Sequence, residues 1–401
     1  MGDPAVRDGR LDRATRRARS RALPWIAFLA IALPAHAAGA GERGFNAPVD
    51  LLDSRADLKR LRDAGATLVR LDFARMPLMP QDPPYTFDAP ETRAAWRRFH
   101  ETIGWAGSLG LHVVIDPHAM PGALEHTTVR SGDPFWNDDA AQSALLALWR
   151  RIAREGERHG DVIAGYDLVN EPFGIPDDPK YDLNWIYRRL IEEVRAIDPT
   201  VDFYLEFHAQ HFWDVSADPA YIAKGTDYIA RGPDHYGGDL PGSRILYSPH
   251  LYWPLEYTHQ GVYPDRMPAG QTWPDPSRFD VRGDGTPDPK RPWTEAGMRE
   301  YLKGVIRFAE REDVGHDRIY VGEFSTSFCP ECGWDANLAD ATPGRAARNG
   351  ADDWLASAVR IFDEYGWDWT YHAANGSDLW NAHVPARREE QLRYLLDPPP
   401  R

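Results

Sequence analysis

Eight short apolar runs recur along this 401-residue chain with helix-forming segments between them. They are Gly44–Asn46, Thr67–Phe73, His112–His118, Ile163–Asn170, Asp202–Phe207, Ile245–Tyr252, Arg318–Phe324 and Trp367–His372. Near-continuous apolar runs of this length read as strands buried on both faces, the habit of a parallel sheet. The intervening segments carry helical periodicity. Within 182–198, Leu183, Ile186, Leu190, Val194 and Ile197 fall three or four residues apart, and Pro199 stops the pattern. Leu355, Val359 and Phe362 do the same within 352–365 before Gly366, and Leu58 and Leu61 within 54–64 before Gly65. Strand and helix alternating eight times predict a single (β/α)8 TIM barrel, an α/β fold.

Two connections are unusually long. One follows the sixth strand, about 254–293, rich in Pro, Asp, Gly and Trp; the other is an insertion after the seventh, Cys329–Asn349. Both belong at the rim of a cleft. Asp280–Gly285 has the start of a calcium loop, but Arg282 and Arg291 stand where ligands belong, so a plain turn is expected and no metal is assigned.

The first forty residues stand apart. Seven arginines precede the apolar run Leu23–Leu33, and Ala35-His36-Ala37 and Ala38-Gly39-Ala40 offer small-residue cleavage sites. That layout predicts a signal peptide over 1–40, a catalytic domain over 41–401, and a secreted or periplasmic product. The chain carries a formal charge of −15, and removing 1–40 makes the remainder more acidic. Such a surface excludes nucleic acid and anionic membranes as expected partners and suits a neutral ligand. No G-x-G-x-x-G or P-loop follows the first strand, so no cofactor is expected.

Polar side chains gather where the apolar runs end. Glu171 closes Tyr166-Asp-Leu-Val-Asn-Glu-Pro172, and Glu323 closes Ile319-Tyr-Val-Gly-Glu-Phe-Ser325. Arg70, His118, Asn170, His250, Tyr252 and Trp369 occupy the other strand ends. Singly, each has a structural explanation: a strand-end histidine is more often a hydrogen-bonded structural residue, and Arg70 could simply pair with a barrel carboxylate. Their arrival one set per strand is what those explanations leave out. Two carboxylates on one rim are the minimum equipment for breaking a glycosidic bond. A metallohydrolase would need His118 and His250 to converge with carboxylates on an ion, and His-x-His spacing is absent.

In this order of motifs the chain resembles glycoside hydrolase family 5, the large cellulase family of (β/α)8 barrels, over essentially all of the segment from Gly44 onward. The resemblance implies that Glu171 is the acid/base and Glu323 the nucleophile, and that Arg70, His118, Asn170, His250, Tyr252 and Trp369 line the subsite where the bond is cut. Pro254–Gly261 resembles a segment of bacterial glucanase-like members. The resemblance implies a retaining β-glycosidase acting on polysaccharide, an endo-β-1,4-glucanase in the first instance. β-Mannan, β-1,3-glucan and a glycolipid glycan are the alternative substrates; a non-catalytic carbohydrate-binding barrel is the remaining class.

Fifteen Trp and seventeen Tyr suit stacking on sugars, although most should be core. Trp253, Trp273, Trp369 and Trp380 are the expected cleft aromatics. The two cysteines, Cys329 and Cys332, are expected to form a small disulfide beside Glu323, since zinc would need two further ligands. A monomer is expected.

Overall fold

The computed structural model describes residues 41–374 except 124–128, 131, 173–182, 207–243, 261–266, 269, 282–285, 311–313 and 327–349. The segment 1–40, Cys329, Cys332, Trp380 and the centre of the calcium-loop-like turn lie outside the described residues.

Strands β1 (Arg43–Pro48), β2 (Leu68–Asp72), β3 (His112–Asp116), β4 (Ile163–Asp167), β5 (Asp202–Glu206) and β6 (Ile245–Ser248) run in sequence order. With β10 (Tyr320–Val321) and β12 (Asp368–Tyr371) they form an eight-stranded sheet ordered β10-β12-β1-β2-β3-β4-β5-β6. Every pairing in it is parallel. The ends meet through a Tyr247–Ile319 bridge and through β7 (His250–Leu251) pairing with β11 (Glu323–Phe324). The chain is therefore a (β/α)8 barrel. Each expected apolar run contains a strand, and the polar residues at its C-terminal end fall on one rim.

Pro249 and Gly322 split the sixth and seventh barrel strands just before the rim, and the Gly322 N–H donates to the Pro249 carbonyl at 3.2 Å. A Cβ on Gly322 would sit 2.5 Å from Ser248 Oγ and 3.0 Å from His250 Nε2. Glycine at 322 thus lets the ring of His250 approach the strand that carries Glu323.

Helices cover the barrel as the periodicity requires. Leu183–Arg195 buries Leu183, Ile186, Leu190 and Val194, and Ala351–Tyr365 buries Leu355, Val359 and Phe362 before a left-handed Gly366. Arg55–Asp63 opens with a capping box between Ser54 and Asp57. Most of the core lies between helices and barrel, while Leu68, Val114, Tyr204 and Tyr320 form a smaller cluster inside it.

The connection after the sixth strand is more ordered than its composition predicts. It holds a short helix, Leu255–Thr258, and an antiparallel hairpin of β8 (Asp275–Val281) and β9 (Pro287–Trp293). No helix among the described residues is long and apolar enough to cross a membrane.

Candidate active site

Arg70, on β2, is fully buried and stands at the centre of the rim. Its Nε donates to Asp167 Oδ2 at 2.9 Å, Nη1 to Asn46 Oδ1 and Glu323 Oε1 at 2.8 Å each, and Nη2 to Asn170 Oδ1 at 2.9 Å and Glu206 Oε1 at 3.0 Å. Asp116 Oδ2 lies 3.0 Å from Nη1. Five other strands are braced to β2 through one guanidinium whose donors are all engaged. Four carboxylates around one arginine cannot all be ionised without cost. Burial drives the Asp167 carboxyl well up, more than Arg70 pulls it down, and does the same more mildly to Glu206.

Glu323 goes the other way. Burial alone would raise its pKa, but His372, His250 and Arg70 overcome this and hold it down to about 2, with the charge of Glu171 opposing them. Tyr252 donates its hydroxyl to Glu323 Oε2 at 2.7 Å. Glu323 is therefore an ionised carboxylate with a donor on each oxygen, while Glu171 and His250 each present an atom within 4.8 Å of it and of one another.

Glu171 follows β4 and is held differently. Its backbone has φ 39°, in the left-handed region that non-glycine residues avoid. Strain there is of the order of 1–3 kcal/mol and needs surroundings that enforce it. The Glu171 N–H donates to Glu206 Oε2 at 2.7 Å, and Glu171 Oε1 lies 3.1 Å from His250 Nδ1. His250 Nε2 in turn lies 3.2 Å from Glu206 Oε1. Burial disfavours charge on that ring, but Glu206 and Glu323 outweigh it and raise its pKa.

His118 is the other left-handed non-glycine residue at this rim, with φ 58°. Asp116 accepts both its N–H (2.8 Å) and its ring Nδ1 (2.7 Å). Burial is again outweighed, here by Asp72 and Asp116, and the ring pKa rises to about 10. Its Nε2 is 3.4 Å from the Asn170 amide nitrogen, a long contact that leaves this nitrogen able to meet a ligand hydroxyl.

Asp72, Asp116 and His118 are close enough to ligate a metal, as are Glu171, His250 and Glu323. In the second group Glu323 is already engaged by Arg70 and Tyr252, and Glu171 faces His250, an arrangement that supports proton transfer and nucleophilic attack.

The structure thus brings together Arg70, His118, Asn170, Glu171, His250, Tyr252 and Glu323. It does not bring Trp369 to them. Thr370 faces into the barrel, donating to the Gly322 carbonyl at 2.7 Å, so its neighbour Trp369 faces the helices. There it is fully buried and packs edge-on against Phe324, with ring centroids 5.4 Å apart. The residue of this strand that does face the site is His372, whose Nδ1 is 3.7 Å from Glu323 Oε2.

Trp253 and Trp273 are also core. Trp253 stacks on Tyr301 and meets Trp273 edge-on, and both indoles are buried, so they brace the loop after the sixth strand and form no cleft wall. Asn46, Asp116, Asp167, Glu206 and His372 also join the site, with no motif in the sequence to mark them. Glu206 and His372 both stand at the ends of expected strands, and that position was the available signal.

An eight-stranded parallel barrel whose rim carries two neighbouring glutamates, one paired with arginine and tyrosine, has the architecture of a glycoside-hydrolase barrel. The sequence model for cellulase (glycosyl hydrolase family 5) matches residues 37–378, and the chain belongs to that family. It is 24% identical over 268 residues to endoglucanase B of Acetivibrio thermocellus, covering 55% of this chain and 46% of that protein. It is 29% identical over 139 residues to glucan 1,3-beta-glucosidase D of Emericella nidulans, covering 32% of this chain and 16% of that protein. The matched segments therefore span less than half of these curated relatives. Among solved structures, an endoglucanase of the hyperthermophilic Thermotoga maritima superposes with a TM-score of 0.58 at 18% identity, covering 88% of this chain and 96% of the other. The cellulose synthase subunit Z of Clostridioides difficile gives 0.59 at 15% identity, covering 89% and 99%. These two likenesses concern the fold.

Proposed function

We propose that the protein is an exported, retaining β-glycosidase that hydrolyses polysaccharide, acting first of all as an endo-β-1,4-glucanase. The observation that carries the reading is the glutamate pair. Oxygens of Glu171 and Glu323 lie within 4.8 Å, and Glu323 is held ionised. Carboxyl groups about 5–5.5 Å apart suit double displacement, whereas inversion needs room for a water between carboxylate and sugar.

In this mechanism Glu323 attacks the anomeric carbon while Glu171 protonates the departing glycosidic oxygen. The glycosyl-enzyme removes the charge from Glu323, and Glu171, now a carboxylate, takes a proton from the water that releases the sugar. Asn170, oriented by Arg70, is placed for the sugar 2-hydroxyl, where a hydrogen bond strengthens in the transition state. Export is supported by the composition of residues 1–40.

The named endoglucanases among the relatives favour cellulose-type substrates. The named glucan 1,3-beta-glucosidases favour a second reading, β-1,3-glucan. A reducing-sugar assay across carboxymethyl cellulose, mixed-linkage glucan, β-1,3-glucan, mannan and xylan separates them. Activity on none of these would overturn the proposal.

A further inference from the structure

Glu206 ends a strand that contributes no other group to the chemistry proposed above, and it is only 2% exposed. Its two oxygens divide their work. Oε2 accepts the N–H of Glu171, and Oε1 accepts from Arg70 Nη2 and faces His250 Nε2. The same imidazole reaches Glu171 Oε1 through Nδ1. Glu206 thus reaches Glu171 twice, by a hydrogen bond at the backbone and, through a 3.2 Å charge contact with the His250 ring, at the carboxylate. Its own strand end is anchored by the Tyr187 hydroxyl, which donates to the Glu206 carbonyl at 2.9 Å.

We propose that Glu206 is the positioning residue of the acid/base: it holds Glu171 in its left-handed backbone conformation and turns His250 so that Nδ1 meets the Glu171 carboxyl. The inference rests on the double-displacement reading above. Glu206 touches none of the reacting atoms. Its ionisable neighbours are Arg70 from β2, Asp167 from β4, His250 from β7 and Glu323 from β11. An amide cannot replace it. In Glu206→Gln one terminal atom becomes an NH2 donor, which must oppose either the Glu171 N–H or the Arg70 and His250 donors.

The test compares wild type and Glu206→Gln on two aryl β-cellobiosides, one with a 2,4-dinitrophenyl leaving group and one with an unsubstituted phenyl. The first needs almost no protonation on leaving. A loss confined to acid assistance should lower kcat/KM about 100-fold on the phenyl glycoside and only a few-fold on the dinitrophenyl glycoside. Azide should then raise kcat on the dinitrophenyl substrate, since it attacks without a base. Equal losses on both substrates overturn the proposal. If Glu206→Gln does not fold, Glu206→Asp carries the same comparison, since it keeps the charge on a shorter arm. Labelling of wild-type Glu323 by a 2-deoxy-2-fluoro glycoside checks the parent reading separately. An unlabelled wild type overturns both, whereas a labelled wild type with equal losses overturns the role of Glu206 alone.

Discussion

Glu323 receives a hydrogen bond on each oxygen, 2.8 Å from Arg70 Nη1 and 2.7 Å from the Tyr252 hydroxyl. A carboxylate so held has its lone pairs aimed and its charge stabilised before any ligand arrives. Glu171 is held in another way, with Oε1 3.1 Å from His250 Nδ1 and its N–H donating to Glu206. The two glutamates are chemically unequal, and the expected outcomes below follow from that.

Retention of configuration is expected. Proton NMR of a β-linked oligosaccharide digest should show the β-anomer accumulating first, with the α-anomer appearing only by mutarotation. Initial formation of the α-anomer would remove the double-displacement reading.

Glu171→Ala should still form the glycosyl-enzyme with an activated aryl glycoside and then stall, and azide should restore turnover to give the β-glycosyl azide. Glu323→Ala cannot form that intermediate, so any azide product should be the α-anomer. A reversed pattern assigns the roles the other way round.

The Glu323 carboxyl has a lower pKa folded, about 2, than the roughly 4.3 expected for an unfolded chain. Its ionisation therefore adds stability that is complete above the unfolded value and is lost as the pH falls through that window. Thermal melts of wild type and Glu323→Gln should show a difference that shrinks between about pH 5 and pH 2. A difference independent of pH contradicts the pairing.

His372 stands 3.7 Å from Glu323 Oε2 and is, after burial, the leading influence on its pKa. His372→Phe should raise the pKa of Glu323, moving the acidic limb of kcat/KM to higher pH. An unmoved limb would show that the histidine carries no charge in the working enzyme.

Trp369→Ala should cost stability, about 3–5 kcal/mol as for other large buried aromatics, and leave KM for a soluble glucan nearly unchanged. Denaturant melts measure the first and initial rates the second. A large rise in KM with little loss of stability would return Trp369 to the cleft.

The strands were legible because both their faces are buried, so each reads as an uninterrupted apolar run between Gly, Pro and polar stops. Glu171 and Glu323 were legible because each breaks such a run at its end. The eighth barrel strand, β12, shows where that reading stops. Tryptophan is the natural candidate for stacking on a sugar, yet one step along a strand exchanges its faces, and Thr370 takes the inward position. Glu206 was hidden for a different reason. Leu-Glu-Phe carries no motif, and its role exists only through Arg70, His250 and the backbone of Glu171, which lie far away in sequence. The hairpin over 275–293 was illegible because Pro, Asp and Gly dominate it, and those residues disfavour strands in isolation.

The brace around Arg70 has a consequence for how such a protein can change. Among the described residues, the groups that set charge at the rim are tied to one another across the barrel mouth. Long connections, including the one after the sixth strand, can then be lengthened, shortened or exchanged while the buried charges keep their values. New substrate walls can be fitted to an engine that does not have to be retuned.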